Sequence, residues 1–407
     1  MAADRIRGFR RALQEGLAER SVPTAHGVAR LVDSCPAVYD ANYLWVDGPV
    51  APAEVLAAEC DGALADRHHR RVVVEGGGAG LADRFVELGY SLSTHLVLVH
   101  EREPDRRVDT SPVRPASLEE LLPVRTRQIL DEPWGDDDIA AQLNEAKRHV
   151  AAAVPTRFFA VIADGEIAGY CELRLRDGVA QIEDVEVLER FRGRGLGRAI
   201  VQHALDEGRA SADVVFLEAL ADDWPRELYA RLGFVVVDRS DLYTRLPHAL
   251  TRLHLRTPRL ELRLGTIAEL RRLFAVASDG AAPGGLEEGP FIALHERALA
   301  GWRADEWALH LIGFSGSEPI GSETLGAAHF AKSRTVTSDG WLGRAWQGQG
   351  FEDEMRAAAL TLAFDGLGAR KALVDRGREV QRDAFPRSVP VAIAGLDRVR
   401  SLFGGVS

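Results

Sequence analysis

Lysine is almost absent from this chain: of 50 basic residues only Lys147, Lys332 and Lys371 are lysines. With abundant alanine and glycine, this reads as a coding bias, so an isolated arginine carries little functional information. Cysteine is equally scarce. Cys35, Cys60 and Cys171 are widely spaced, which excludes a disulfide framework and a CxxC zinc site. No apolar run approaches the roughly 20 residues that cross a bilayer. The opening MAADRIRGFRRALQEGLAER is charged throughout and has no signal-peptide core, so the expectation is a cytoplasmic protein without a membrane partner. Positive charge is also in deficit. The formal net charge of -11 makes the chain a poor general binder of nucleic acid, because neutralising phosphates needs a basic face.

What is present describes a globular protein, 46% hydrophobic and 27% charged. Its 407 residues suit two or three domains. EREPDRRVDTSP (101–112) and LPHALTRLHLRTP (246–258) read as linkers, leaving segments at 1–105, 112–247 and 256–407. The middle segment is the most legible. SLEELLPVRTRQIL (117–130) and IAAQLNEAKRHVAAA (139–153) have helical apolar spacing. FFAVIADGEIAGYCELRLR (158–176) predicts a hairpin turning at Asp164-Gly165, and AQIEDVEVL (180–188) a further strand. A glycine-rich turn and helix (192–210), a buried strand (214–220), a short helix (224–233) and a closing pair of strands, FVVVD and DLYTRL, follow. The order predicts an α/β fold with a mixed central sheet and flanking helices.

Arg192-Gly193-Arg194-Gly195-Leu196-Gly197 stands between a strand and a helix. Glycines let the backbone turn tightly and approach a ligand, and the helix beyond offers unpaired N–H groups. The alternation matches neither G-x-G-x-x-G nor a P-loop. With VEVLERFRGRGLGRAIVQHAL and LEALADDWPRELYARLGF in this order and spacing, residues 112–247 resemble the GNAT superfamily of acyl-CoA-dependent N-acetyltransferases. The resemblance implies that acetyl-CoA is the co-substrate and that no metal is used. It places the pyrophosphate on the backbone of Arg192, Gly193, Arg194, Gly195, Leu196, Gly197 and Arg198. It places the pantetheine arm beside the main chain of Val185, Glu186 and Val187.

The chemistry asks for a base to take a proton from an ammonium ion and an acid to protonate the departing thiolate. By resemblance Tyr229 is the acid; the competing reading is a core aromatic bonded to backbone. Glu218, an acid in the otherwise apolar VVFLEAL, and Glu183 are the candidate bases, with Asp184 and Glu186 as neighbours. A water chain without a single base is the alternative. The helix leading to the acid often starts with Asn in the family; here Asp222 or Asp223 takes that place, putting a charge near the coenzyme arm. DEPWGDDD (131–138) and Trp134 read as either acceptor pocket or solvated loop.

The flanks resemble the same fold in tandem. Residues 1–105 end in a helix, Leu-Gly-Tyr and closing strands without the arginine–glycine loop; GGGAGL (76–81) lacks it, and the His68–Arg71 cluster reads as a solvated turn. Residues 256–407 are similar to the ribosomal-protein alanine acetyltransferases, but Glu352 stands where Gln347-Gly348-Gln349-Gly350-Phe351 calls for a small residue. That unit is expected to be non-catalytic. The expected function is acetyl transfer to the primary amine of a small molecule by direct attack. The alternatives are a protein or peptide acetyltransferase and a non-catalytic acyl-CoA sensor. Monomer and homodimer are both compatible.

Overall fold

The fold is that of a computed structural model. It describes residues 2–78, 80–132, 134–222, 225–278, 287–375 and 377–403, except the side chains of Pro225 and Arg226. Two compact units emerge: residues 1–64 with 69–246, and residues 65–68 with 247–407. The segments expected at 1–105 and 112–247 thus lie together in the first unit.

The first segment of that unit runs α1 (Ala2–Leu17), β1 (Arg20–Pro23), β2 (Val28–Leu31), β3 (Tyr43–Val46), α2 (Ala53–Ala63), β4 (Arg70–Glu75), α3 (Ala82–Glu87) and β5 (Ser91–His100). The second runs β6 (Val113–Ala116), α4 (Leu118–Asp131), α5 (Asp137–Ala153), β7 (Thr156–Ala163), β8 (Glu166–Arg176), β9 (Val179–Val187), α6 (Leu196–Ser211), β10 (Val214–Leu220), α7 (Pro225–Arg231) and β11 (Phe234–Arg245). Local chemistry sets these limits. Ser117 caps α4 by accepting the Glu120 N–H, and Asp136 caps α5 by accepting that of Ile139. The β7–β8 turn uses Asp164 and Gly165 at φ 54° and 81°, the left-handed pair such a hairpin requires.

One sheet joins both segments, in the order β1-β2-β3-β4-β11-β5-β10-β9-β8-β7-β6. Only β3–β4 and β9–β10 are parallel among these pairs. The last strand of each segment is exchanged: β11 pairs with β4 and β5, and β5 pairs with β10. This corrects the expected closing pair of strands. Phe234–Arg245 is one strand with an irregularity between Val236 and Asp238, and the place where it would have folded back holds β5. On one face α6 and α7 cover Ile182, Leu217 and Leu98, while α2 and α3 cover Leu44, Val72 and Tyr243. On the other, Ile6, Phe9 and Leu13 of α1 pack on Val97, Val99 and Phe216. The solvated turn expected at 68–71 is also corrected. His69 is buried with its Nε2 2.9 Å from the Asn42 carbonyl, and Arg70 is buried with its Nε 2.7 Å from Asp61.

The second unit runs β12 (His254–Arg256), β13 (Glu261–Arg263), α8 (Ile267–Ser278), α9 (Glu288–Ala300), β14 (Glu306–Ser315), β15 (Glu318–Ala328), α10 (Phe330–Ser333), β16 (Thr335–Leu342), α11 (Phe351–Thr361), β17 (Lys371–Val374), β18 (Arg378–Gln381), β19 (Ala392–Ala394) and α12 (Leu396–Val399). Its sheet has the order β18-β17-β16-β15-β14-β13-β12-β19, with β16 and β17 parallel. Among the described residues no helix is long and apolar enough to cross a membrane.

Candidate active site

The site is built where β9 leaves β10. The two strands pair from Val179–Val214 to Ile182–Leu217 and then part. The cause is a bulge: the β8–β9 register slips between Tyr170–Glu186 and Glu172–Glu183, and Asp184 takes φ 54°. A left-handed aspartate needs its surroundings to hold it. Here the Asp184 carboxylate is gripped by Arg125 and lies 3.3 Å from Lys147 Nζ. Lys147 also reaches Glu172 at 2.9 Å, and Arg174 pairs with the same Glu172. Burial alone would raise the Asp184 pKa, but Lys147 and Arg125 overcome it and hold the group below its ordinary range.

Beyond β9, Gly193 and Gly195 both have φ 79°, and an added Cβ would meet nothing within 4 Å at either. The turn is therefore open on its outer side. Gly195 caps α6, whose first turn carries no acid, so its N–H groups and dipole face outward unopposed. Arg192 folds back on the strand, with Nε 3.0 Å from the Val187 carbonyl and Nη2 3.2 Å from Glu186. Arg194 reaches Asp164 at 2.7 Å. The Arg198 side chain is not at the open face: it is buried, paired with Asp105 and donating to the Arg106 carbonyl. Main chain at 192–197 thus forms a turn open on its outer side, while the side chain of Arg198 anchors the segment before β6.

In the gap between β9 and β10 lies a cavity of about 240 Å³, lined by Glu183, Val185, Leu217, Glu218 and Tyr229. These expected residues do converge. Tyr229, on α7, is buried with its ring edge-on to Phe234 at 6.2 Å. Asp222 stands exposed in the turn after β10 and lines neither this cavity nor the next; Asp223 lies outside the described residues. Glu183 is raised to about 7, first by burial and then by the charges of Glu218 and Glu172, against the pull of Arg174. Its oxygens accept from Gln181 Nε2 at 2.8 Å and from the Asp184 N–H at 3.3 Å.

Glu183, Asp184 and Glu218 also line a larger cavity of about 490 Å³ on the sheet face below α1 and α5. Glu218 is not free there. Its Oε1 lies 2.8 Å from Arg10 Nε, and Arg10 Nη1 lies 2.6 Å from Glu75, which also accepts from Trp45 Nε1 at 3.0 Å. Arg10, Tyr43, Glu75 and His95 come from the first segment and were missed in the sequence. One signal was available: Glu75 ends VVVE much as Glu218 follows VVFL. The described residues of DEPWGDDD line neither cavity, and Trp134 is exposed. Among the described residues no cluster of His, Cys, Asp and Glu could hold a metal.

Residues 118–234 match the model of the Acetyltransferase (GNAT) family. A streptothricin acetyltransferase of Streptomyces lavendulae is 37% identical over 81 residues, 19% of this chain and 43% of that protein. The chain therefore matches less than half the length of this curated relative. Among solved structures, a GCN5-related N-acetyltransferase from Kribbella flavida is 20% identical, covering 57% of this chain and 93% of its own at a TM-score of 0.40. A tandem GNAT protein from the clavulanic acid biosynthesis pathway is 16% identical, covering 57% and 86% at a TM-score of 0.39.

Proposed function

With a GNAT domain at residues 118–234 as premise, we propose that the first unit transfers an acetyl group from acetyl-CoA to the primary amine of a small molecule. One observation carries this reading. β9 leads from a gap between parallel strands to a turn open on its outer side, and Glu183 and Glu218 line both the gap and a larger cavity. The pyrophosphate rests on main chain at Arg192–Gly197, and the thioester enters between β9 and β10. The amine arrives from the larger cavity, whose 490 Å³ falls in the range of small-molecule sites. The 37% identical streptothricin acetyltransferase supports a small acceptor over a protein.

Glu183 takes the proton from the ammonium ion. Its pKa of about 7 lets it ionise near neutrality and still be basic enough to accept. Glu218, held by Arg10, fixes the wall opposite and adds negative charge where the ammonium approaches. The amine nitrogen attacks the thioester carbonyl, the C–S bond breaks, and the Tyr229 hydroxyl protonates the thiolate. The nitrogen loses its second proton to solvent as the amide forms, and the Tyr229 phenoxide regains a proton from solvent.

The test is thiol release from acetyl-CoA with streptothricin and a panel of primary amines, alongside a thermal shift. At about 100 times its dissociation constant acetyl-CoA should add roughly 2.7 kcal/mol of stability. Tyr229→Phe should lower kcat by about 10²-fold and keep the thermal shift. A shift without thiol release from any amine would mark an acyl-CoA sensor instead.

A further inference from the structure

The floor of the larger cavity crosses one sheet face obliquely: Tyr43 on β3, Val73 on β4, Leu242 on β11, His95 on β5 and Glu218 on β10, of which only Val73 and Leu242 stand directly opposite each other. The exchange of β5 and β11 makes this floor continuous. Its reactive end, at Glu218 and Glu183, belongs to the second segment. Its far end belongs to the first, which the transfer chemistry does not use.

The charges of that far end are already matched. Arg10 is shared between Glu75 and Glu218, and Arg71 Nη1 lies 2.5 Å from Asp40. Among the polar groups that the first segment brings to this cavity, the Tyr43 hydroxyl and the His95 ring have no hydrogen-bond partner among the described residues, nor do the Gln14 amide and Arg71 Nε; of these only Tyr43 and His95 stand on the sheet floor without a charge of their own. Tyr43 is 6% exposed, and its hydroxyl is not among the buried unpartnered atoms, so it stays open to the cavity that Tyr43 lines. Both feel the same charges, Arg10, Asp40 and Arg71, with Glu75 added at Tyr43 and Glu218 at His95. Both line the larger cavity. Burial lowers the His95 pKa and raises that of Tyr43, so near neutrality both are uncharged. Each can then donate and accept a hydrogen bond.

We propose that Tyr43 and His95 form the acceptor-recognition wall, and that the acceptor is a primary amine bearing an uncharged hydrogen-bonding group, a carboxamide or hydroxyl, remote from the reacting nitrogen. A second ammonium or a carboxylate would bring an unmatched charge to a wall whose ions are paired, and a bare alkyl chain would leave both groups unsatisfied. The inference rests on the transfer reading above.

The experiment measures thiol release by the full chain with acetyl-CoA and straight-chain amines of about four to eight carbons ending in methyl, ammonium, carboxylate, hydroxyl or carboxamide. The carboxamide or hydroxyl series should lead in kcat/KM by about tenfold, the worth of one satisfied hydrogen bond. Tyr43→Phe and His95→Leu should erase that lead by raising the amine KM while leaving the KM of acetyl-CoA and kcat unchanged; His95→Gln, still able to donate and accept, should keep it. Tyr43→Phe removes only an oxygen without a partner, so its fold should survive, as circular dichroism can check. A methyl, diamine or acid series in the lead overturns the inference and leaves transfer standing, as does a lead that Tyr43→Phe and His95→Leu do not change. No thiol release from any amine by the unaltered protein overturns transfer itself, and this inference with it.

Discussion

The two units carry the same local device and use it differently. Gly193 and Gly195 precede α6 at φ 79° each; Gly348 and Gly350 precede α11 at 74° and 80°. Each turn follows a strand in a parallel pair, β9–β10 or β16–β17. Each unit also holds a glutamate raised to about 7, the partly buried Glu183 and the buried Glu323. The surroundings part them. The first turn of α6 has no acid, whereas that of α11 has Glu352, Asp353 and Glu354. Arg259 pairs with Glu354 at 2.6 Å, donates to the Gln349 carbonyl at 3.0 Å and lies over the Phe351 ring, so that turn is satisfied from within. Glu323 accepts from Ser338 Oγ at 2.5 Å and is pressed so near Gly340 that a Cβ there would sit 2.1 Å from its Oε2. Backbone shape and a raised pKa do not make a site. Glu183 differs in facing a cavity that Tyr229 and Glu218 also line.

The strongest way to break the comparison is to remove each carboxyl. Glu183→Gln should lower kcat by about 10²-fold or more, the usual worth of a positioned base, and Glu323→Gln should leave kcat unchanged. Equal losses would mean that Glu323 acts on the reaction. The pH profiles sharpen the point. A base must be ionised, so kcat should rise as pH passes about 7 at Glu183. Stability runs the other way. Both carboxyls are raised from an ordinary 4.5 to about 7, so the stability each gains by staying protonated is complete below 4.5 and lost as pH climbs through 7. Each Gln variant should flatten the stability profile; only Glu183→Gln should flatten the kcat profile.

Smaller effects are expected from exchanging the helix starts. Gly197 and Glu352 occupy the same place after their turns. Gly197→Glu should raise the KM of acetyl-CoA about tenfold by setting a carboxylate against the pyrophosphate at a dipole end. Its Cβ would meet only Val187 Cγ2 at 3.7 Å, an ordinary contact, so the loss is electrostatic. The reverse exchange, Glu352→Gly, should add no second acetyl-CoA site in calorimetry, because Asp353, Glu354 and Arg259 remain.

What the sequence could reveal follows the range of the interactions. Helix caps at Ser117 and Asp136, the Asp164-Gly165 turn and the Arg192–Gly197 turn are set within a few residues, and their chemistry is visible in order. Glu183, Glu218 and Tyr229 were legible through the spacing of two motifs, and the structure brings them to one gap. The strand exchange was not legible. FVVVD-RS-DLYTRL has the polar break of a hairpin, and pairing with β5 along its length and with β4 over Ser240–Arg245 keeps it one strand. Arg10, Tyr43 and His95 were hidden for the same reason: they lie more than 120 residues before Glu218, and nothing local marks them. Arg198 misled in the opposite direction, since its place in a motif says nothing of Asp105, far earlier in the chain, which turns its side chain inward.

The finest test separates the cost of a turn from its use. Gly195→Ala and Gly350→Ala both force a Cβ into a left-handed position, φ 79° and 80°, for about 1–2 kcal/mol. Neither meets a hard obstacle: nothing lies within 4 Å at Gly195, and at Gly350 only the flexible Arg259 Nη2 at 3.5 Å. The two losses of stability should therefore be alike in denaturant titrations of each unit's transition. The response to acetyl-CoA should not be. Gly195→Ala places a methyl group on main chain that must approach a diphosphate, and should weaken the ligand's thermal shift; Gly350→Ala should leave it intact. An equal response at both positions would mean that the turn at 195 is used no more than its counterpart at 350, and that open geometry alone had made it look like a cradle.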